Sequence, residues 1–285
     1  MDSNNALHEF LGMDYAYNEK IMKACGLTQI PDRRTFDRRL KTISIDIKER
    51  IATMTSLLVN EKIIDPYIVA IDSTLLKARG HVWHKSSMDK GIVPRSGIDT
   101  DARWGFSHTK GWIFGYKLHM ISSTGSIIVP LAADFTTANV QDNQMYNPMT
   151  SPSPSSSSLF LETCFMIGDS GYDDNKLYDL STKRGFELVC PVQRYKNTPK
   201  NRLEMIQFYE SELGQSIYSW RSKSIEPLIE HIKSVFRIDP LPVRGYNKSA
   251  GIVLLSVLLY QILVYYNYKT RRSQRPKAIK HMLCS

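Results

Sequence analysis

Two short apolar runs, each of which ends at an aspartate, constrain the fold of this chain more than any other feature. The first is YIVAID, which ends at Asp72, and the second is FMIGD, which ends at Asp169. Short runs of β-branched and other apolar residues predict buried strands. Ligand sites in open α/β sheets collect at the carboxyl ends of strands, so both carboxylates are expected at one edge of a sheet.

The rest of the chain alternates between predicted strands and predicted helices. Residues Ile113 to Phe135 predict a β-hairpin that turns at Thr124-Gly125. Residues 77–112 are polar and predict an irregular insertion, and residues 151–158 (SPSPSSSS) predict a flexible surface loop. Further predictions are a helix that starts after Thr137, a helix over 173–184, a strand over 187–192, a basic loop over 196–202, and a helix over 224–236 with Ser224 as its N-cap. This order predicts an α/β fold, with a mixed sheet and helices packed on its faces.

The chain is expected to divide into three parts. Residues 63–268 carry the mixed sheet, residues 1–62 form a small helical N-terminal segment, and residues 269–285 form a basic C-terminal tail. In the N-terminal segment, five basic residues lie between Arg33 and Lys41. They suit a small helical unit that binds DNA or docks onto a partner, and they suit equally the solvated face of an ordinary helix.

The charge balance favours a polyanionic partner. The 285 residues carry a formal net charge of +9, and nucleic acid is the commonest partner of so basic a protein. A basic protein without such a partner is the alternative. The four cysteines form no CxxC pair, which argues against a zinc ribbon or a disulfide framework and favours a reducing compartment. The first residues show no pattern of a secretory signal.

One apolar segment, Gly251 to Tyr266, raises the question of a membrane span. The segment is shorter than the roughly 18–20 residues that a spanning helix needs, and it contains Ser256 and Gln261. We therefore expect a buried core helix, and no membrane partner.

Two carboxylates at one edge of a sheet indicate a metal site. A buried carboxylate is costly unless it is paired or bound to a metal, and divalent ions such as magnesium prefer oxygen ligands. Two such ions about 4 Å apart can hold the attacking and leaving oxygens of a phosphoryl displacement. The third carboxylate that this site needs is predicted to be Glu226, at the start of the late helix. The alternative is that Asp72 and Asp169 only cap turns, because a serine follows each of them.

Four segments, AIDST, GYKLH, ADFTTANVQD and IGDSGYD, follow one another through the predicted sheet. Together they resemble the DDE domain of bacterial and archaeal insertion-sequence transposases, over roughly residues 65–266. The resemblance implies a ribonuclease-H-like core in which Asp72 and Asp169 are catalytic metal ligands. The third acid of that family lies in a helical signature of Tyr, Arg, Glu and Lys. Here the segment YSWRSKSIEPLIEHIK supplies Tyr218, Arg221, Glu226 and Lys233.

The signature fixes Glu226 more firmly than it fixes Arg221. The gap between Arg221 and Glu226 is one residue longer than in the usual signature. Glu226 and Lys233 keep their spacing of seven residues, which places them on one helical face. Glu230 is the rival third acid, and it shares that face only approximately.

The other signature residues are expected to bind DNA. Arg221 and Lys233 can hold phosphates, with ordinary exposed charges as the alternative. Tyr218 and Trp220 can stack on an unpaired base beside the cut, although aromatic residues at such positions are as often part of a core. Six further residues fall on family-like positions and are expected to be mainly structural: Asp101, Lys117, His119, Asp134, Asp142 and Tyr172.

The resemblance implies a transposase that cuts DNA at transposon ends and joins those ends to target DNA. It implies two Mg²⁺ or Mn²⁺ ions, double-stranded DNA as the substrate, and a homodimer that works on paired ends. The expected location is the cytoplasm, in association with the nucleoid. Basic segments at Arg33–Lys41, Arg194–Arg202 and Lys269–Lys280 are expected to grip phosphates.

Two other functions stay open at this point. One is a non-catalytic, decayed transposase remnant that only binds DNA. The other is a metal-dependent phosphatase with Asp72 as its nucleophile. That chemistry usually needs a second aspartate two residues further on, where this chain has Thr74.

Overall fold

A computed structural model describes residues 15–29, 31–107, 109–151, 162–194, 200–270 and 279. Most of the serine-rich segment 151–158 and most of the basic tail lie outside these described residues. The predictions made for those two segments are therefore not addressed by the structure.

The centre of the described structure is a six-stranded mixed sheet, as the sequence predicted. The strands are β1 Ile68–Lys77, β2 Arg103–Ser107, β3 Gly111–Ser123, β4 Pro130–Thr137, β5 Phe165–Ile167 and β6 Glu187–Val189. Strand β3 pairs antiparallel with β1 on one side. On its other side, β3 pairs antiparallel with β2 near its start and with β4 along the rest of its length. Strand β5 runs parallel to β1, and β6 runs parallel to β5.

Helices pack around this sheet. In chain order they are α1 Tyr15–Ala24, α2 Arg33–Thr42, α3 Ser44–Asn60, α4 Lys85–Met88, α5 Asp142–Thr150, α6 Asn175–Lys183, α7 Lys200–Glu210, α8 Glu212–Tyr218, α9 Trp220–Lys223, α10 Ile225–Phe236 and α11 Tyr246–Lys269. Helices α3 and α11 pack on each other and on β4, and α10 packs on β1. The N-terminal helix α3 thus shares the main core, to which it contributes Ile47, Ile51 and Leu58.

The prediction that the first strand ends at Asp72 was wrong, because β1 continues to Lys77. Residues beyond Asp72 pair with β3, whereas the parallel pairing with β5 stops at Ala70 opposite Ile167. Asp72 and Asp169 each lie two residues beyond that last pair. The register therefore brings the two aspartates to one place in the sheet, although only one of the two strands ends there.

The insertion over 77–112 is more ordered than predicted. It contains the short helix α4 and the strand β2, which forms a hairpin with the start of β3. The pattern was missed because β2 is an edge strand of five residues that includes an arginine, a glycine and a serine. Such a strand has no continuous apolar run to reveal it.

The basic loop predicted over 196–202 was also wrong at its end, where Lys200 already begins α7. Arg202 is buried, and its guanidinium pairs with the buried carboxylate of Asp173. Burial in an ion pair removes Arg202 from the set of surface cations that were expected to grip phosphates.

Among the described helices, α11 is long and apolar enough to cross a membrane by length and composition. Most of its apolar stretch is nevertheless buried against protein. Gln261 lies fully buried in this helix, and its amide donates to the Thr55 hydroxyl at 2.9 Å and to the Pro130 carbonyl at 2.9 Å. Gln261 therefore fastens α11 to α3 and β4, as a polar residue in a core helix must find partners.

Candidate active site

Asp72 and Asp169 sit side by side beyond the parallel strand pair. The Asp72 side chain is 14% exposed, and one of its oxygens accepts a hydrogen bond from the Ser73 amide at 2.8 Å. Asp169 caps the short 3-10 turn Ser170–Tyr172, and its Oδ1 accepts from the Gly171 amide at 2.8 Å. The expected turn-capping role is real for Asp169, but it uses only one carboxylate oxygen. Capping and metal binding are thus compatible at this residue.

The Arg221 guanidinium joins the first and third predicted acids. Its Nη2 donates to Asp72 Oδ2 at 2.8 Å, and its Nη1 donates to Glu226 Oε1 at 2.5 Å. Asp72 lies in β1 and Glu226 lies in the first turn of α10, so a single cation links the sheet to the signature helix. The structure therefore brings Glu226 close to Asp72, with one guanidinium group between them.

Burial raises the pKa of the Asp72 carboxyl to about 6. The Arg221 guanidinium and the Ser73 amide act against this increase in pKa, and the carboxylates of Asp169 and Asp142 add to it. A carboxylate in such surroundings is stabilised by any cation that approaches it. The site is therefore arranged to attract positive charge.

The extra residue in the signature is absorbed by a break between two helices. Ser224 has φ −117° and ψ −82°, outside the helical region, and it separates α9 from α10. Ser224 occupies the predicted N-cap position, but its hydroxyl donates back to the Trp220 carbonyl at 2.6 Å and does not cap α10. The break lets Arg221 and Glu226 face each other despite the longer spacing.

Lys233 lies deeper than a surface phosphate ligand would. Its side chain is 6% exposed, and its ammonium lies 3.1 Å from Glu230 and 3.2 Å from Asp239. It also lies 3.5 Å from the hydroxyl of Thr74, which follows Asp72 by two residues in β1. The alternative that Lys233 is an ordinary exposed charge is excluded by this burial.

Glu230 does not join the Arg221-linked acids. Its carboxylate is two-thirds exposed and lies near the ammonium groups of Lys233 and Lys110. Of Glu226 and Glu230, it is Glu226 that contacts Arg221. The spacing of seven residues between Glu226 and Lys233 had favoured Glu226 as the third acid.

The two signature aromatics are half-buried and pack against the hydrophobic core. The Tyr218 ring meets the Tyr209 ring edge-on, with 5.2 Å between centroids. The Lys223 ammonium lies 5.5 Å from the centroid of the Trp220 ring. The contacts of Tyr218 agree with the core alternative, and base stacking by either residue stays a prediction.

A polar network that the sequence did not predict lies on the other face of β1. The Ser73 hydroxyl donates to Asp142 at 2.7 Å, and the Lys117 ammonium donates to the same oxygen at 3.0 Å. His119 is fully buried beside them and bonds the Thr136 hydroxyl at 2.9 Å. The residues come from the AIDST, GYKLH and TTANVQD segments, and only the fold shows that these segments meet. The network holds the backbone next to Asp72 against the start of α5.

Burial lowers the pKa of His119 to about 4, and the Lys117 ammonium acts in the same direction against the carboxylates of Asp142 and Asp134. His119 is therefore neutral at physiological pH. This agrees with the mainly structural role expected for His119, although its buried Nδ1 has no hydrogen-bond partner among the described residues.

The donor set suits a hard divalent cation, although its present arrangement is not a closed metal cage. Within the described part of the chain, no three His, Cys, Asp or Glu side chains are grouped closely enough to hold an ion. Arg221 instead lies between Asp72 and Glu226. Three carboxylates, one nearly buried, are the oxygen ligands that Mg²⁺ and Mn²⁺ prefer. The chemistry of these residues therefore fits such ions. For an ion to bind, the ion pairs of Arg221 with Asp72 and Glu226 must break.

A second basic surface lies beyond the far end of β1. A cavity of about 990 Å³ separates α2 from the loop before α11, and Arg33 and Arg34 of the predicted basic segment line it. Arg79, Arg244 and Lys248 line it as well. Its three acids have local partners. Asp37 pairs with the Lys248 ammonium, Asp99 accepts from the Tyr116 hydroxyl and the Gly245 amide, and Asp101 accepts from the Tyr246 amide.

Comparison with known proteins gives the same family that the sequence motifs resemble. The family model described as "Transposase DDE domain" matches residues 64–262, which is well over half of the chain. No curated protein matches the chain.

Two solved structures are similar in part. One is the Drosophila P element transposase strand transfer complex, with 12% identity and a TM-score of 0.23, over 94% of this chain. The other is a pre-cleavage Mos1 transpososome, with 12% identity and a TM-score of 0.20, over 92% of this chain. The chain spans 60% of the length of the P element protein and 75% of the Mos1 protein. By the family match over residues 64–262, the chain belongs to the transposases with a DDE domain.

Proposed function

We propose that this protein is an active transposase, which cuts DNA at transposon ends and joins the freed ends to target DNA with divalent metal ions. The observation that carries the proposal is the link from Asp72 through Arg221 to Glu226, next to Asp169. The three acids are far apart in the sequence, and all of them lie within the matched family domain.

In this proposal Asp72, Asp169 and Glu226 supply the oxygen ligands of two Mg²⁺ or Mn²⁺ ions. When bound, such ions supply activation of a hydroxyl nucleophile and neutralise charge on the phosphate. The raised pKa of Asp72 favours this role, because a cation stabilises the charged carboxylate that burial disfavours.

Arg221 has a second task in the same proposal. Its guanidinium holds Asp72 and Glu226 together while no ion is bound. Ions bound by these acids would release its donors, which would then hold a DNA phosphate in the site. Lys233, which lies against Thr74, keeps a second positive charge close to the same strand.

Double-stranded DNA is the proposed substrate, and a homodimer on paired ends is the proposed assembly. The net charge of +9 and the basic cavity beside α2 support binding of a polyanion. A phosphatase with Asp72 as nucleophile has less support, because Thr74 stands where its second aspartate is needed and lies against Lys233.

A cleavage assay tests the proposal. The substrate is a duplex that carries the inverted repeat flanking the coding sequence, incubated with Mg²⁺ or Mn²⁺. Wild-type protein should nick the duplex at the repeat end, and Asp72→Ala, Asp169→Ala or Glu226→Ala should abolish nicking while DNA binding persists. Glu212→Gln, an exposed acid on α8, is the matched control and should cut as wild type does. Binding without any metal-dependent nicking by the wild type would identify the decayed remnant instead.

A further inference from the structure

The tip of the β2–β3 hairpin carries two exposed aromatic side chains. Phe106 is 51% exposed and Trp112 is 67% exposed. They lie directly opposite each other in the antiparallel pairing, and their ring centroids are 5.3 Å apart. Exposed aromatic side chains that adjoin each other are uncommon on a soluble surface and indicate a binding site.

This pair is the outer end of an aromatic series on one face of the sheet. The next pair inward is Trp104 with Phe114, with 5.6 Å between centroids. Tyr116 then follows and is fully buried. The inner rings thus anchor the hairpin in the core, and the outer rings lie at the surface.

Positive charge lies next to the exposed pair. Lys110 is in the hairpin turn, about half-exposed, and its ammonium lies 3.8 Å from Glu230 on α10. The neighbouring Lys233 ammonium lowers the pKa of Lys110. The Glu230 carboxylate lies within 4 Å of both ammonium groups, and Lys110 is the more exposed of the two lysines, so it is the one that a phosphate can reach.

The hairpin tip is continuous with the candidate active site. Residues opposite each other in an antiparallel pair share a face, as do alternate residues of one strand. The pairings Asp72 with Met120 and Thr74 with Leu118 therefore put the Asp72 side chain on the same face as Trp112. Lys233, which contacts Thr74, lies between the two on that face.

We infer that the hairpin tip is a subsite for an unpaired nucleotide of the DNA strand that enters the candidate active site. The Trp112 ring stacks on the base, with Phe106 beside it, and Lys110 binds the adjoining phosphate. The inference rests on the proposed function, because it takes the strand past Asp72 to be DNA. Aromatic rings combined with cations are the usual means of binding single-stranded nucleic acid.

A protein partner fits this surface less well. Stable protein interfaces bury about 800 Å² on each partner and are depleted in lysine. Here the exposed aromatic surface is two side chains, and a lysine lies in the turn between them.

The test compares two random-sequence duplexes, one blunt and one with a short single-stranded extension, in EDTA so that no cleavage occurs. Wild-type protein should prefer the extended duplex. Trp112→Ala should weaken binding of the extended duplex about fivefold or more, the lower end of what one stacked base contributes. Lys110→Ala should weaken it as well, and both variants should leave the blunt duplex nearly unaffected. Trp112→Phe should retain most of the preference. Tyr266→Ala and Lys183→Ala, exposed residues on other helices, are the controls.

Thermal unfolding of each variant shows whether the hairpin still folds. Equal affinity of Trp112→Ala and wild-type protein for the extended duplex overturns the inference, as does an equal loss on both duplexes. A change in oligomeric state with unchanged DNA affinity overturns it in favour of a protein interface. Failure of the two proposals is separable: wild-type nicking without the Trp112 effect removes only the subsite, and the Trp112 effect without any nicking removes only the catalytic proposal.

Discussion

At the scale of single residues, Arg221 is the group that holds the candidate active site together. It is the cation shared by Asp72 and Glu226, two of the three acids that we propose as ligands of divalent ions. An arginine that bridges two carboxylates lowers their affinity for any other cation, because the ion pair has to break first.

Substitution of Arg221 tests that competition. Arg221→Gln should strengthen Mn²⁺ binding to the DNA-free protein about fivefold, since a partly exposed ion pair contributes about 1 kcal/mol. The same variant should cut DNA more slowly, because a phosphate ligand is lost. Titration calorimetry measures the first effect, and Arg194→Gln, a largely exposed arginine, is the control. Unchanged or weaker Mn²⁺ binding would show that Arg221 does not occupy the ion site.

His119 makes a prediction about stability and pH. Its pKa is lowered from 6.5 to about 4 in the folded protein, so the unfolded chain binds the proton more readily between those values. The stability that neutral His119 contributes is complete above pH 6.5 and is lost as pH falls toward 4. Wild-type protein should lose about 2 kcal/mol between about pH 7 and pH 5 on this account.

Urea unfolding at the two pH values measures the effect. His119→Asn lowers stability at both, but it should remove most of the pH dependence. His84→Asn, at an exposed position, should keep the wild-type slope. An unchanged slope in His119→Asn would assign the pH dependence to other groups.

At the scale of elements, α2 depends on close contact with α11. A Cβ added at Gly251 would lie 2.6 Å from the Leu40 carbonyl oxygen and 2.9 Å from its Cδ1. Backbone cannot yield as a flexible side chain does, so α2 would have to shift.

The sign of the change in unfolding free energy in Gly251→Ala tests this contact. Helix propensity alone would stabilise the variant by about 1 kcal/mol. Crowding against Leu40 should outweigh this and leave a net loss of about 1–2 kcal/mol in urea unfolding. Leu255→Ala, at an exposed position of the same helix, should change stability by less. A Gly251→Ala variant more stable than wild type would show that α2 moves freely over α11.

The elements that the sequence revealed are those with long or strongly patterned runs. The β3–β4 hairpin and α10 were predicted because alternation, turn residues and helical spacing are local signals. The continuation of β1 beyond Asp72 was not predicted, because it depends on pairing with β3. The register that aligns Asp72 with Asp169 and the break at Ser224 that aims Arg221 are likewise properties of the packed structure.

At the scale of the whole molecule, the net charge of +9 predicts that the proposed DNA binding depends on salt. Each phosphate contact contributes about 0.9 to the slope of log affinity against log salt. Replacement of both Arg33 and Arg34 by Gln should therefore reduce that slope by up to about 2, equally on any sequence. Fluorescence anisotropy over a salt series measures it. Lys20→Gln with Lys23→Gln on α1 is the control, and an equal reduction there would mean that the cavity beside α2 has no special part.

The central claim is that Asp72, Asp169 and Glu226 converge on divalent ions, and Fe²⁺-directed cleavage of the protein chain tests it most directly. Fe²⁺ that replaces Mg²⁺ reduces added hydrogen peroxide to hydroxide and a hydroxyl radical, and ascorbate returns the resulting Fe³⁺ to Fe²⁺. The radicals cut the backbone beside the bound ion. The account predicts cuts close to all three residues, suppressed by excess Mg²⁺ and lost in Asp72→Asn. Cuts elsewhere, or cuts at one of the three that persist in Asp72→Asn, would contradict it.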